Sequence, residues 1–131
     1  MKAILYPTTS SHVDSILKRE QLFYSIGKPM NDTVHPMPVY LYETQNAGGS
    51  GKITGVIWIG PGYKFQRGSI NLVAAMAYCP TITFSAEEIG GKEKFFYEIL
   101  HRERFAVPKR IEDVVWRGST RPPRTWKKIE V

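Results

Sequence analysis

The sequence predicts a single α+β domain over residues 1–131, built on a twisted, partly closed sheet. Three observations predict it. One amphipathic helix near the N-terminus carries capping residues, several short segments alternate apolar and polar residues with period two, and Gly, Pro and Asn punctuate the chain with no linker or internal repeat. A chain of this length encloses one ordinary core, because independent domains need roughly 100 residues each.

Lys2 to Tyr6 reads as an opening strand that Pro7 ends, followed by the cluster Thr8-Thr9-Ser10-Ser11. With Ser11 as N-cap, Asp14 falls at N3, where a carboxylate faces the orphan amides and the positive end of the helix dipole. Val13, Ile16 and Leu17 share one face and Lys18 and Arg19 close the helix at its negative end, which predicts a helix over residues 12–19. Leu22 to Ile26 suits a strand, and Gly27, Pro29, Asn31 and Asp32 mark a loop. Pro38 to Thr44 alternates Val39 and Leu41 against Tyr40 and Tyr42, and Ile53 to Ile59 resumes after the glycine-rich turn at 45–51 until Gly60-Pro61-Gly62 ends it. These two strands form a hairpin. Ser69 caps a helix over Ile70 to Tyr78 that Pro80 stops, Thr81 to Phe84 forms a short strand, and Ser85-Ala86-Glu87-Glu88 has capping-box spacing. Residues 94–105 fit both helical spacing and strand alternation, and the pattern does not choose. Ile111 to Trp116 suggests a helical turn, and residues 121–124 an extended segment.

The 42% hydrophobic and 23% charged composition excludes a disordered or collagen-like chain. Eighteen Lys and Arg against twelve Asp and Glu give +6, a balance that favours nucleic acid or another polyanion. Residues 1–50 carry four basic and four acidic side chains, whereas residues 102–131 carry nine basic and four acidic ones, so five of the six net charges sit in the C-terminal stretch. Residues 44–86 hold no Asp or Glu, so that stretch supplies no carboxylate for acid/base work. Cys79 is the sole cysteine, which points to a reducing, cytoplasmic setting without disulfides. No window approaches the ~20 apolar residues of a membrane span, so no membrane partner is expected.

Gly48-Gly49-Ser50-Gly51-Lys52 invites a phosphate-loop reading, but Asn46 stands where the first glycine belongs and Ile53 where a Mg-binding hydroxyl is needed. A hairpin turn explains the stretch better. His12, His35 and His101 have no metal-ligand spacing, and Cys79 follows an apolar run as a core residue would, so neither a metal nor a cofactor is expected. The basic C-terminal stretch interleaves Arg117, Arg121, Arg124, Lys127 and Lys128 with Trp116 and Trp126, a mixture able to neutralise phosphates and stack bases. Composition alone allows equally a solvated basic face with both tryptophans in the core.

The order of segments resembles the ASCH domains of the PUA-like superfamily over nearly the whole chain. The residues that carry it are Ile16-Leu17-Lys18-Arg19-Glu20 after the opening strand, Pro38-Val39-Tyr40-Leu41-Tyr42-Glu43-Thr44, Gly55-Val56-Ile57-Trp58, Phe96-Tyr97-Glu98-Ile99 through Phe105, Pro108 and Ile111, and Arg121-Pro122-Pro123-Arg124-Thr125-Trp126. The resemblance implies a mixed β-barrel with the N-terminal helix and short peripheral helices over its openings, makes residues 94–105 a strand, and implies a cleft near the first helix where relatives bind RNA, nucleotides or modified bases. Some relatives are hydrolases that use a lysine, threonine and glutamate. At the corresponding Gly-x-Lys-Thr-x-Glu-x-Arg stretch this chain reads Arg19, Gln21, Leu22, Tyr24 and Ile26, so that chemistry is lost.

The expectation is therefore a non-catalytic, RNA-binding or other nucleic-acid-binding module with a regulatory role. Gln21 meets a base edge, Tyr24, Tyr40 or Tyr42 stacks on it, and Arg19, Lys64, Arg67, Arg117, Arg121, Arg124 and Lys127 reach phosphates. A small nucleoside or nucleotide ligand fits the same cleft. Two alternatives stay open: a ribonuclease or modified-nucleoside hydrolase of altered mechanism, and a protein-interaction module whose basic segment meets an acidic partner.

Overall fold

The computed structural model describes residues 1–20, 22–26, 30, 36–65 and 94–131. The elements expected at 70–78, 81–84 and 85–88, together with Cys79, Gln21 and Arg67, lie outside the described residues.

In chain order the elements are β1 (Lys2–Thr8), α1 (Ser10–Lys18), β2 (Leu22–Ile26), β3 (Met37–Glu43), a 3-10 turn (Gln45–Ala47), β4 (Ile53–Phe65), β5 (Lys94–Lys109), α2 (Ile111–Val114) and β6 (Lys127–Glu130). They form one six-stranded sheet in the order β2-β5-β4-β3-β1-β6. β1 and β3 are parallel and the other neighbours antiparallel, which makes the sheet mixed. Among the described residues the outer strands β2 and β6 do not pair with each other, so the sheet is open rather than closed into the expected β-barrel.

Local chemistry explains where the elements start and stop. Thr9, not Ser11, caps α1: its hydroxyl accepts the His12 amide at 3.3 Å, and the helix begins two residues earlier than the sequence suggested. Asp14 thereby moves past the first turn and instead pairs with Arg104 of β5. β1 runs through Pro7 to Thr8. Thr8 turns its carbonyl toward β3, where the Thr44 amide donates to it at 2.9 Å, so Pro7 turns its donor-less nitrogen to the other side. Pairing with β6 has already ended there, at Leu5. β4 likewise continues through Gly60-Pro61-Gly62, with a register shift between Ile59 and Gly62 that absorbs the missing amide. Residues 94–109 are a strand, β5, which pairs with β2 on one side and β4 on the other.

The sheet buries both faces. On one, α1 lays Val13 and Ile16 onto Ile4, Val39, Leu41, Ile57, Ile59, Tyr97 and Phe23, each 0–1% exposed. Burying Val13 and Ile16 contributes about 1.5–3 kcal/mol apiece before entropy is counted. α1 approaches so closely that a Cβ on Gly55 would lie 2.8 Å from Leu17 Cδ1 and 2.9 Å from the Glu103 carbonyl, which is why glycine stands at this position of β4. On the other face, α2 brings Ile111 onto Ala3, Leu5, Tyr42, Ile53 and Ile129, with Val115 just beyond it.

Candidate nucleic-acid interface

Cross-strand pairing sets which side chains share a surface, because directly opposed residues project to the same face. One row reads Lys127, Leu5, Tyr40, Val56, Glu103 across β6, β1, β3, β4 and β5. The adjacent row holds Pro38, Trp58 and His101. All lie on the α2 side of the sheet, as Leu5 shows by belonging to that core. Phe105, two residues beyond Glu103, joins them and meets Tyr40 with ring centroids 6.4 Å apart. Trp58 and His101 are in ring contact at 5.1 Å. The Lys109 ammonium stands 4.4 Å over the Phe105 ring. Burial, and secondarily the Glu103 charge, hold the Tyr40 hydroxyl above the ordinary tyrosine pKa.

The C-terminal segment reaches the same face. Lys127 Nζ donates to the carbonyls of Ser119 at 3.0 Å and Arg121 at 3.2 Å, which ties the 119–121 loop to the row that contains Tyr40. Trp116 donates its amide to the Glu130 carbonyl at 2.7 Å, and Arg117 bridges Glu130 antiparallel, so this segment lies along the outer edge of β6. Its indole is 69% exposed, with the Arg117 guanidinium 4.5 Å over the ring. Arg121 and Arg124 are exposed as well. The two tryptophans therefore part company: Trp116 faces solvent, while Trp126 is partly buried against the α1-side core.

Other cations are engaged within the fold. Arg102 donates to the Ile16 carbonyl at 2.8 Å, Arg104 pairs with Asp14, and Arg110 pairs with Asp113 at 3.2 Å and Glu112 at 3.5 Å. The Arg110 contact lowers the Asp113 carboxyl below its ordinary pKa and raises that of the guanidinium.

The structure does not gather all the residues expected at a cleft near α1. Tyr40 and Tyr42 lie on the opposite face of the sheet from α1, because Val39 and Leu41 take the α1 side and the pleat alternates. Tyr42 is 5% exposed inside the α2-side core, which covers its ring. Arg19 is exposed at the end of α1. Tyr24 sits on β2 opposite Phe96, and Lys64 on β4 opposite Phe95. Trp58, His101, Phe105 and Lys109 were not among the expected contacts. A signal for Trp58 was available, since in an alternating strand it must face away from Ile57 and Ile59.

A second polar constellation joins the end of β1 to α1. Thr8 Oγ1 and His12 Nδ1 are 2.8 Å apart, and His12 Nε2 lies 3.7 Å from Glu20 Oε2, whose side chain is 1% exposed. Tyr6 meets the imidazole edge-on. Among the described residues no three His, Cys, Asp or Glu side chains converge as a metal site would require, and no helix is long and apolar enough to cross a membrane.

No protein-family model matches the sequence, and no curated protein matches it. Solved structures do match. The crystal structure of ASCH from Zymomonas mobilis aligns with 98% of this chain and 87% of its own at TM-score 0.71 and 7% identity. The chain has the fold of an ASCH domain. Two single-substitution variants of that Zymomonas mobilis protein align at TM-score 0.66, with 8% and 9% identity, over 99% and 98% of this chain and 91% and 88% of theirs. The ASCH fold thus accounts for nearly the whole length, while at such identities it leaves the site residues to be argued from their own chemistry.

Proposed function

We propose that this ASCH-fold chain is an RNA-binding module in a cytoplasmic setting, with its contact surface on the α2 face and the adjoining C-terminal segment. The observation that carries the proposal is Trp116, a largely exposed indole with Arg117 against it, followed by exposed Arg121 and Arg124. An exposed tryptophan costs solubility unless a partner uses it, and a base is the partner that a ring flanked by guanidinium groups suits. To the same role we assign, from the sequence, phosphate contacts by Arg19, Lys64 and Arg67 and base contacts by Gln21 and Tyr24.

The test is fluorescence anisotropy with labelled RNA across a salt series. Affinity is expected to fall steeply with salt, with a log–log slope of about −0.7 for each phosphate neutralised on a single strand. Arg121→Glu with Arg124→Glu weakens binding across all sequences and flattens the slope, Trp116→Ala weakens binding by about 5- to 100-fold, and Gln21→Ala changes base preference. No binding at low salt, or an affinity indifferent to salt, overturns the proposal.

A further inference from the structure

We propose that Trp58 and His101 form a base-stacking platform that makes the α2 face select unpaired nucleotides over duplex; the proposal rests on the nucleic-acid reading above. The two residues oppose each other on the antiparallel pair β4–β5, and their rings touch at 5.1 Å with planes inclined by 51°. His101 is exposed and Trp58 half-buried, so the indole is braced by its neighbours and still reaches solvent. Bracing matters because a ring already held in place loses little conformational entropy when a base settles on it.

What surrounds the pair points to a single strand as the occupant. Along β5 the same face continues through Glu103 to Phe105, with Lys109 over the Phe105 ring, and across the sheet it continues to Tyr40. Alternate residues along a strand are about 6.6–6.8 Å apart, so His101, Glu103 and Phe105 span about 13 Å, room for successive splayed bases. Glu103 repels phosphate, which keeps the sugar-phosphate backbone off the middle of the face and directs it toward Lys109 at the Phe105 end and toward the basic 119–121 loop that Lys127 ties down across the sheet. Side chains standing on a sheet have no means of reaching bases that are stacked and paired inside an A-form helix. Bases freed from pairing present their faces to it directly.

The experiment compares a short labelled single-stranded RNA with the same strand annealed to its complement, in one buffer, by anisotropy. Wild-type protein is expected to bind the single strand more tightly than the duplex. Trp58→Ala is expected to lower single-strand affinity by about 5- to 100-fold while leaving duplex affinity unchanged, with Trp58→Phe retaining most of the binding and His101→Ala falling between. Because Trp58 is half-buried, circular dichroism melts accompany each variant, and Trp58→Phe and His101→Ala carry the test should Trp58→Ala unfold. Arg121→Glu with Arg124→Glu lowers both affinities together. Equal wild-type affinity for the two probes, or equal losses for both in the Trp58 and His101 variants, overturns the platform and leaves the nucleic-acid reading standing. Binding of neither probe overturns both.

Discussion

Arg102 Nη1 donates to the main-chain carbonyl of Ile16 at 2.8 Å, across 86 residues of sequence. The carbonyl belongs to the C-terminal half of α1, where a helix leaves acceptors unsatisfied and where the negative end of its dipole lies. An arginine that composition counts toward a basic surface is thus a fastener between β5 and α1, and Arg104 beside it performs the same task through Asp14. The net charge therefore overstates the basic surface, of which the exposed Arg117, Arg121 and Arg124 form part among the described residues.

Arg102→Ala is expected to destabilise the fold by about 1.5–3 kcal/mol, the range for a hydrogen bond to a charged donor, while RNA affinity in the folded protein stays unchanged. Urea denaturation and anisotropy, run on the same preparation, separate the two. A loss of affinity without a loss of stability would return Arg102 to the binding surface.

Glu20 is buried against His12, so removing its carboxylate strips a paired group from the interior. Glu20→Ala is expected to cost about 1–3 kcal/mol, the range for leaving buried polar partners unsatisfied, and Glu20→Gln, which keeps the volume and a hydrogen-bonding oxygen, less. Thermal unfolding followed by circular dichroism measures both. Wild-type stability in Glu20→Ala would show that the carboxylate is not held as described.

Gly55 has backbone rather than a flexible side chain on one side of its missing Cβ, namely the Glu103 carbonyl at 2.9 Å. Gly55→Ala therefore forces β4 and β5 apart or pushes α1 outward, and an overpacking cost of about 1–3 kcal/mol is expected. Chemical denaturation gives the number; a neutral or stabilising outcome would contradict the close approach.

Thr9 and Ser11 offer competing caps for α1, and the hydroxyl geometry favours Thr9. Thr9→Ala is expected to lose about 1 kcal/mol, whereas Ser11→Ala stays within about 0.5 kcal/mol of wild type. The reverse order in denaturant midpoints would place the cap at Ser11.

Much of the element order was legible in the residues, for physical reasons that can be named. The β3–β4 hairpin follows from alternation on either side of a glycine-rich turn, and α2 from the apolar spacing of Ile111 and Val115. β6 was not legible. Lys127-Lys128-Ile129-Glu130 holds one apolar side chain, and what makes it a strand is pairing with Lys2–Leu5, more than 120 residues earlier. Local pattern ends the strands at Pro7 and before Pro61, whereas proline's cost depends on whether a neighbouring strand needs its amide, which no local pattern shows.

The candidate site divides in the same way. That the C-terminal stretch is basic and carries exposed aromatic surface was half readable: Trp116 and Trp126 are indistinguishable by composition, yet one faces water and the other packs against α1's core. Trp58 and His101 stand 43 positions apart, and only the register of β4 on β5, with its irregular shifts, brings them into contact.

Features legible from the chain alone are local: the helix and its polarity, the alternation of the strands, and the concentration of positive charge between residues 102 and 131. Each follows from neighbours within a few residues, where backbone geometry and capping chemistry act. Strand order and register decide which cations are consumed as fasteners, which face of the sheet carries Tyr40, Trp58 and Phe105, and that among the described residues β2 and β6 do not pair to close the sheet. Both are set by packing between segments far apart in the chain.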